Sequence, residues 1–123
     1  MSVLATVQGA LADALGDALA CKSFDYIPER LIAPCAIVVP GSPWVTSGNV
    51  FGSFLVTFDV DVVVQTAANT TKTKDLTDRI EEAIVTLVNE GYSVIDVAQP
   101  SVLEANGAPY MSTTLQVSTT ITL

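Results

Sequence analysis

The sequence predicts an α+β domain in which two helices pack on one face of a mainly antiparallel sheet. Two kinds of periodicity carry that expectation. From Val3 to about Ala20, Val3, Val7, Leu11, Leu15 and Leu19 recur at every fourth position, the signature of an amphipathic helix. From Phe54 to Gln65, Phe54, Val56, Phe58, Val60, Val62 and Val64 alternate with Leu55, Thr57, Asp59, Asp61, Val63 and Gln65, which is the two-residue period of a strand. A second helical stripe and a second long alternation follow, so both element types occur twice along the chain.

The elements follow in order. Ser2 is the expected N-cap of the first helix, and Gly9 and Gly16 weaken its interior. The prolines and the Glu29-Arg30 pair between Tyr26 and Pro34 predict an extended connection, and Cys35 to Val39 predicts a short strand. Pro40-Gly41-Ser42-Pro43-Trp44 is turn chemistry, repeated at Ser47-Gly48-Asn49, and is expected to form a loop or splayed hairpin. On the long strand that follows, one face is apolar and the other carries Asp59 and Asp61, which predicts one covered and one solvated face.

Ala67 to Thr73 is expected to be a polar turn, with Thr73 capping a helix to Glu90 and Asp75 and Asp78 near the positive end of its dipole. Leu76, Ile80, Ala83, Ile84, Leu87 and Val88 form its apolar stripe, and Gly91 stands where a left-handed C-cap belongs. Tyr92 to Val97 predicts a strand. After Gln99-Pro100 and an expected loop from Glu104 to Pro109, the last strand runs from Tyr110 to Leu123.

At 123 residues the chain is expected to form one domain, 1–123, with neither a linker nor an internal repeat. Half of it is hydrophobic and only 15% is charged, against about 25% in an ordinary soluble domain. That surplus, with long Thr- and Val-rich strands whose edges invite pairing, predicts a homo-oligomer. Thirteen acids against five bases give a net charge of −8, which argues against tight or sequence-specific binding to nucleic acid. Arg30 to Asp59 contains no charge between its ends, yet its prolines and glycines break it too often for a membrane-spanning helix. No base precedes Lys22, and Asp13 and Asp17 interrupt the N-terminal apolar run, so no signal peptide is expected.

Histidine is absent, which removes the commonest general base, the commonest zinc ligand and every Ser/His or Cys/His nucleophile pair. Cys21 and Cys35 lack metal-ligand spacing and read as reduced apolar residues in a reducing compartment. Asp59 and Asp61 share one strand face, a spacing that suits a carboxylate pair or a hard cation, but nothing nearby divides acid and base roles between them. Gly41, Gly48 and Gly52 match no phosphate-binding pattern. No catalytic, metal or cofactor site is therefore expected. Trp44, the only tryptophan, is either a cap folded on the core or an anchor for a partner.

The segment Pro34-Cys35-Ala36-Ile37-Val38-Val39-Pro40-Gly41-Ser42-Pro43-Trp44-Val45, and the order of elements around it, resembles the tail terminator proteins of long-tailed, siphovirus-type bacteriophages, especially those of actinobacteria. The likeness is architectural and runs through the Asn106-Gly107 loop and Tyr110, so it covers nearly the whole chain. It implies a non-enzymatic virion protein, assembled in the host cytoplasm into a hexameric ring at the head-proximal end of the tail tube. Such a ring ends tube polymerisation, meets the major tail tube protein on one side and a head-completion or neck protein on the other, and lets DNA pass. Pro40, Gly41, Ser42, Pro43 and Trp44 are then expected to contact another subunit or an adjacent tail or head protein. Asp59 and Asp61 are candidates for lining the channel. Two alternatives stay open: another neck component, such as a head-completion or minor tail protein, and a small metal-dependent hydrolase built on Asp59 and Asp61.

Overall fold

The computed structural model describes residues 2–19, 21–27, 34–48, 50–65, 70–105 and 108–122. Among them the elements are α1 (Val3–Leu19), β1 (Lys22–Phe24), β2 (Cys35–Ser47), β3 (Ser53–Gln65), α2 (Thr70–Asn89), β4 (Ser93–Val97), β5 (Ser101–Ala105) and β6 (Ala108–Thr122). The order across the sheet is β1-β2-β3-β6-β4, and β5 also pairs with β6. Every pairing is antiparallel except that of β1 with β2. This is the expected α+β class.

Both helices lie on the face that β3 presents through its even-numbered residues. Leu11 and Leu15 of α1 and Leu76, Ala83 and Leu87 of α2 bury against Val56, Phe58, Val60, Val62 and Val64 of β3 and Leu115 and Val117 of β6. The period-two pattern thus does what it predicts, because residues paired across the β3–β6 ladder share a face: Val60 stands opposite Leu115, and Phe58 opposite Val117.

The helix ends are tied down by polar contacts. Ser2 caps α1 by accepting from the Ala5 N–H at 3.2 Å. At the far end, Nη1 of Arg79 donates to the Leu19 carbonyl at 2.8 Å, joining the two helices. Gln8 Nε2 donates to the carbonyls of Asp25 (2.8 Å) and Val38 (2.9 Å), stapling α1 to the β1–β2 edge. After α2, Gly91 takes φ +92°, and the Tyr92 N–H reaches the Leu87 carbonyl while the Gly91 N–H reaches that of Val88. That pair of bonds is a Schellman cap.

Several expectations need correction. α2 begins at Thr70, so Thr73 stands inside it and is not its cap. Nothing between Thr70 and Thr73 breaks a helix, and the earlier start puts Asp75 and Asp78 past the first turn, where the dipole acts weakly. Residues 66–69, which include the start of the polar turn expected from Ala67 to Thr73, lie outside the described residues, as do most of the connection before Pro34, the Asn106-Gly107 pair and Leu123. Two short strands escaped the pattern reading. β1 is three residues long, and β5 occupies part of what was expected to be a loop. The face away from the helices is not wholly solvated either. Cys35, Ile37 and Val63 are buried there, with Phe24, Val39 and Tyr110 packed around them.

Candidate assembly surfaces

Of the loop or splayed hairpin expected here, the structure forms a hairpin of β2 and β3 interrupted by a bulge. β2 pairs with β3 from Cys35↔Val63 to Pro40↔Phe58 and again from Val45↔Val56 to Ser47↔Phe54. Between these stretches the four residues 41–44 of β2 face only Thr57 of β3, a large bulge. The backbones touch there: a Cβ on Gly41 would lie 2.9 Å from Thr57 Cγ2 and 3.0 Å from its carbonyl oxygen. Glycine is required by that approach. Proline at 40 and 43 is compatible with it, because the outer edge of β2 needs no ladder N–H and proline has none.

The bulge turns Pro40, Ser42, Pro43 and Trp44 toward solvent, and Trp44 is 41% exposed. Trp44 belongs to neither of the two buried apolar clusters. Beyond it the β2–β3 connection carries two more exposed apolar residues, Val50 and the fully exposed Phe51. The turn beneath them is well bonded: the Ser53 N–H reaches the Val50 carbonyl at 2.9 Å, and the Ser53 hydroxyl donates to that carbonyl at 2.7 Å. A shallow concavity between Ser47 and Phe54 accompanies the turn. Sequence reasoning passed over Val50 and Phe51, although an apolar pair set among Ser47-Gly48-Asn49 and Gly52 was the available signal.

Two edges of the sheet are open among the described residues. β1 covers only Cys35 to Ile37 of β2, and Gln8 occupies the Val38 carbonyl, leaving the outer side of β2 from Val39 to Ser47 without a strand. On the opposite side β4 and β5 form a broken outer strand along β6.

Asp59 and Asp61 lie on the face away from the helices, both half-buried. Thr114, directly across on β6, donates its hydroxyl to Asp61 Oδ1 at 2.5 Å. Asp59 stands opposite Gln116, which in turn stands opposite Asp96 of β4, so three acids share this face. Partial burial, and then the charge of Asp61, raise the Asp59 carboxyl above its usual range. Among the described residues no group of three or more His, Cys, Asp or Glu could hold a metal ion.

The cysteines are both free. Cys21 packs on the helix-covered core, whereas Cys35 belongs to the cluster on the other face. Burial, with the neighbouring Cys21 and Asp61, pushes the Cys35 thiol up to about 11, so it stays protonated and unreactive. No described helix is long and apolar enough to cross a membrane. Comparison with protein-family models and with curated proteins finds no match to this chain.

Proposed function

We propose that the chain is a structural subunit of the tail-terminator type, six copies of which close into a ring at the head-proximal end of a phage tail tube. In this reading the ring ends tube growth, joins the tail to the head and lets DNA pass. The resemblance of Pro34 to Val45 and of the surrounding elements supplies the role. The observation that carries the reading is the β2–β3 hairpin end, where Trp44, Val50 and Phe51 are offered to solvent beside an unpaired strand edge.

Such a surface is a contact in waiting. Exposed aromatics provide large, rigid anchors, and an open edge accepts a neighbour's backbone. Because the two open edges differ, contact between them is head-to-tail, the geometry that gives a ring when the rotation between neighbours closes. The major tail tube protein and a head-completion or neck protein are the partners proposed for the two faces of the ring.

Asp59 and Asp61 are proposed to face the channel, with Asp96 beside them. Six copies carry a net charge of about −48, six times the −8 of one chain, and like charge along a channel keeps the duplex from sticking. A different neck component would use the same surfaces and differ in position. A reconstruction of particles carrying this chain decides between them. One six-fold ring at the head-proximal end of the tube is expected, and its absence there overturns the reading.

A further inference from the structure

The large apolar side chains left exposed among the described residues are not scattered. Val3 and Val85 stand on the helices, and the others gather on two opposite margins of the sheet. On one margin Tyr26 and Ile27 follow β1, with Trp44, Val50 and Phe51 at the adjoining β2–β3 end. On the other, Ile95 lies on β4, Val102 on β5 and Val88 on α2. Val88 comes two and a half helical turns after Arg79, which bonds α1, and so occupies the flank of α2 turned away from α1.

Neither margin offers a continuous backbone ladder. β2 is interrupted at 41–44 and carries prolines at 40 and 43, while β4 shifts register at Ile95 and the outer strand breaks at 98–100. Along such edges a neighbouring backbone pairs only in short stretches, which leaves side chains to carry a contact.

We propose that the two margins are halves of one contact, in which the Tyr26, Trp44 and Phe51 margin of one copy covers the Val88, Ile95 and Val102 margin of the next. This contact rests on the ring reading above in taking a second copy as the partner, and adds which side chains meet. Charge favours the pairing. Residues 31–58 are uncharged, whereas Val88 and Ile95 lie beside the exposed acids Glu90 and Asp96. Two acidic margins set against each other repel, and the uncharged margin meets the acidic one without that cost. The area is also sufficient. Each of the eight side chains exposes roughly 100 Å², so the contact removes on the order of 1,000 Å² of apolar surface from water, close to the ~1,200 Å² at which specific interfaces begin. A pair joined hairpin end to hairpin end would leave the second margin bare, whereas a closed head-to-tail ring covers both on every copy.

The test uses two full-length variants. Trp44→Glu with Phe51→Glu blocks one margin, and Ile95→Glu with Val102→Glu blocks the other; all four residues are exposed, so both chains should keep the circular dichroism of the native one. By native mass spectrometry each variant alone should lose self-association by at least about 100-fold in Kd. An equal mixture should give a one-to-one heterodimer and nothing larger, because a single intact pair of margins remains. Serine at the same positions repeats the test if a glutamate variant does not fold. A blocked chain that still pairs with itself, a mixture without heterodimer, or a native chain that stays monomeric overturns the proposal. The heterodimer forms or fails whatever particle the chain belongs to, so this result and the reconstruction of the tail neck are decided separately.

Discussion

The β2–β3 ladder has a root and a tip that follow different rules. At the root, Cys35 to Val38 run against Val60 to Val63, and apart from half-buried Asp61 all eight residues are buried between two apolar clusters. Toward the tip the same two strands carry a bulge that holds Trp44, and the connection beyond them carries Val50 and Phe51, all three exposed. Apolar residues thus stabilise the domain at one end and remain unspent at the other. The contact surface proposed at the tip rests on that difference between the ends.

Two phenylalanines on this ladder provide the sharpest contrast. Phe58, opposite Pro40, is fully buried, and Phe58→Ala should cost about 3–5 kcal/mol in chemical denaturation. Phe51→Ala should change stability by no more than about 0.5 kcal/mol. Equal effects would erase the distinction between root and tip.

The bulge between them comes next in size. Gly41→Val would drive its side chain into the Thr57 backbone, and a loss of about 1–3 kcal/mol is expected from urea titration. A neutral result would mean that the two strands do not approach as closely as described.

At the tip itself, Trp44→Ala combined with Phe51→Ala should abolish or weaken subunit association, read as sedimentation or native mass, while the circular dichroism of the isolated chain is retained. Loss of folding in this pair would place the residues in the core after all.

The smallest effect concerns the open face. Asp59 has a raised carboxyl pKa in the folded chain, so its ionisation opposes folding at neutral pH, and that penalty disappears as pH falls through the folded pKa toward the unfolded one. Asp59→Asn should therefore raise the melting temperature slightly at pH 7 and have little effect in acid. The opposite pH trend would show that Asp59 is held by an attractive partner.

The parts of this molecule visible in the sequence are those ruled by periodicity. The stripe Leu11–Leu15–Leu19 and the alternation Val56–Phe58–Val60–Val62 announce the core because burial repeats with the backbone. β1 was invisible because Lys22-Ser23-Phe24 is too short to show a period, and β5 because Pro100 and Glu104 read as loop chemistry. Asn106-Gly107 was a usable hairpin signal, and Ala105 does pair with Ala108 on either side of it.

Of the candidate surface, Trp44 was legible as a lone aromatic among turn residues. The strand around it was not, because two prolines and a glycine match a loop as well as a bulge.

Electron microscopy of the purified chain, at concentrations raised to its solubility limit, tests the central claim most directly. The account predicts closed six-subunit rings in which Trp44 and Phe51 of each copy are covered by a neighbour. A chain that stays monomeric throughout, or rings that leave the β2–β3 hairpin end bare in solvent, would contradict it.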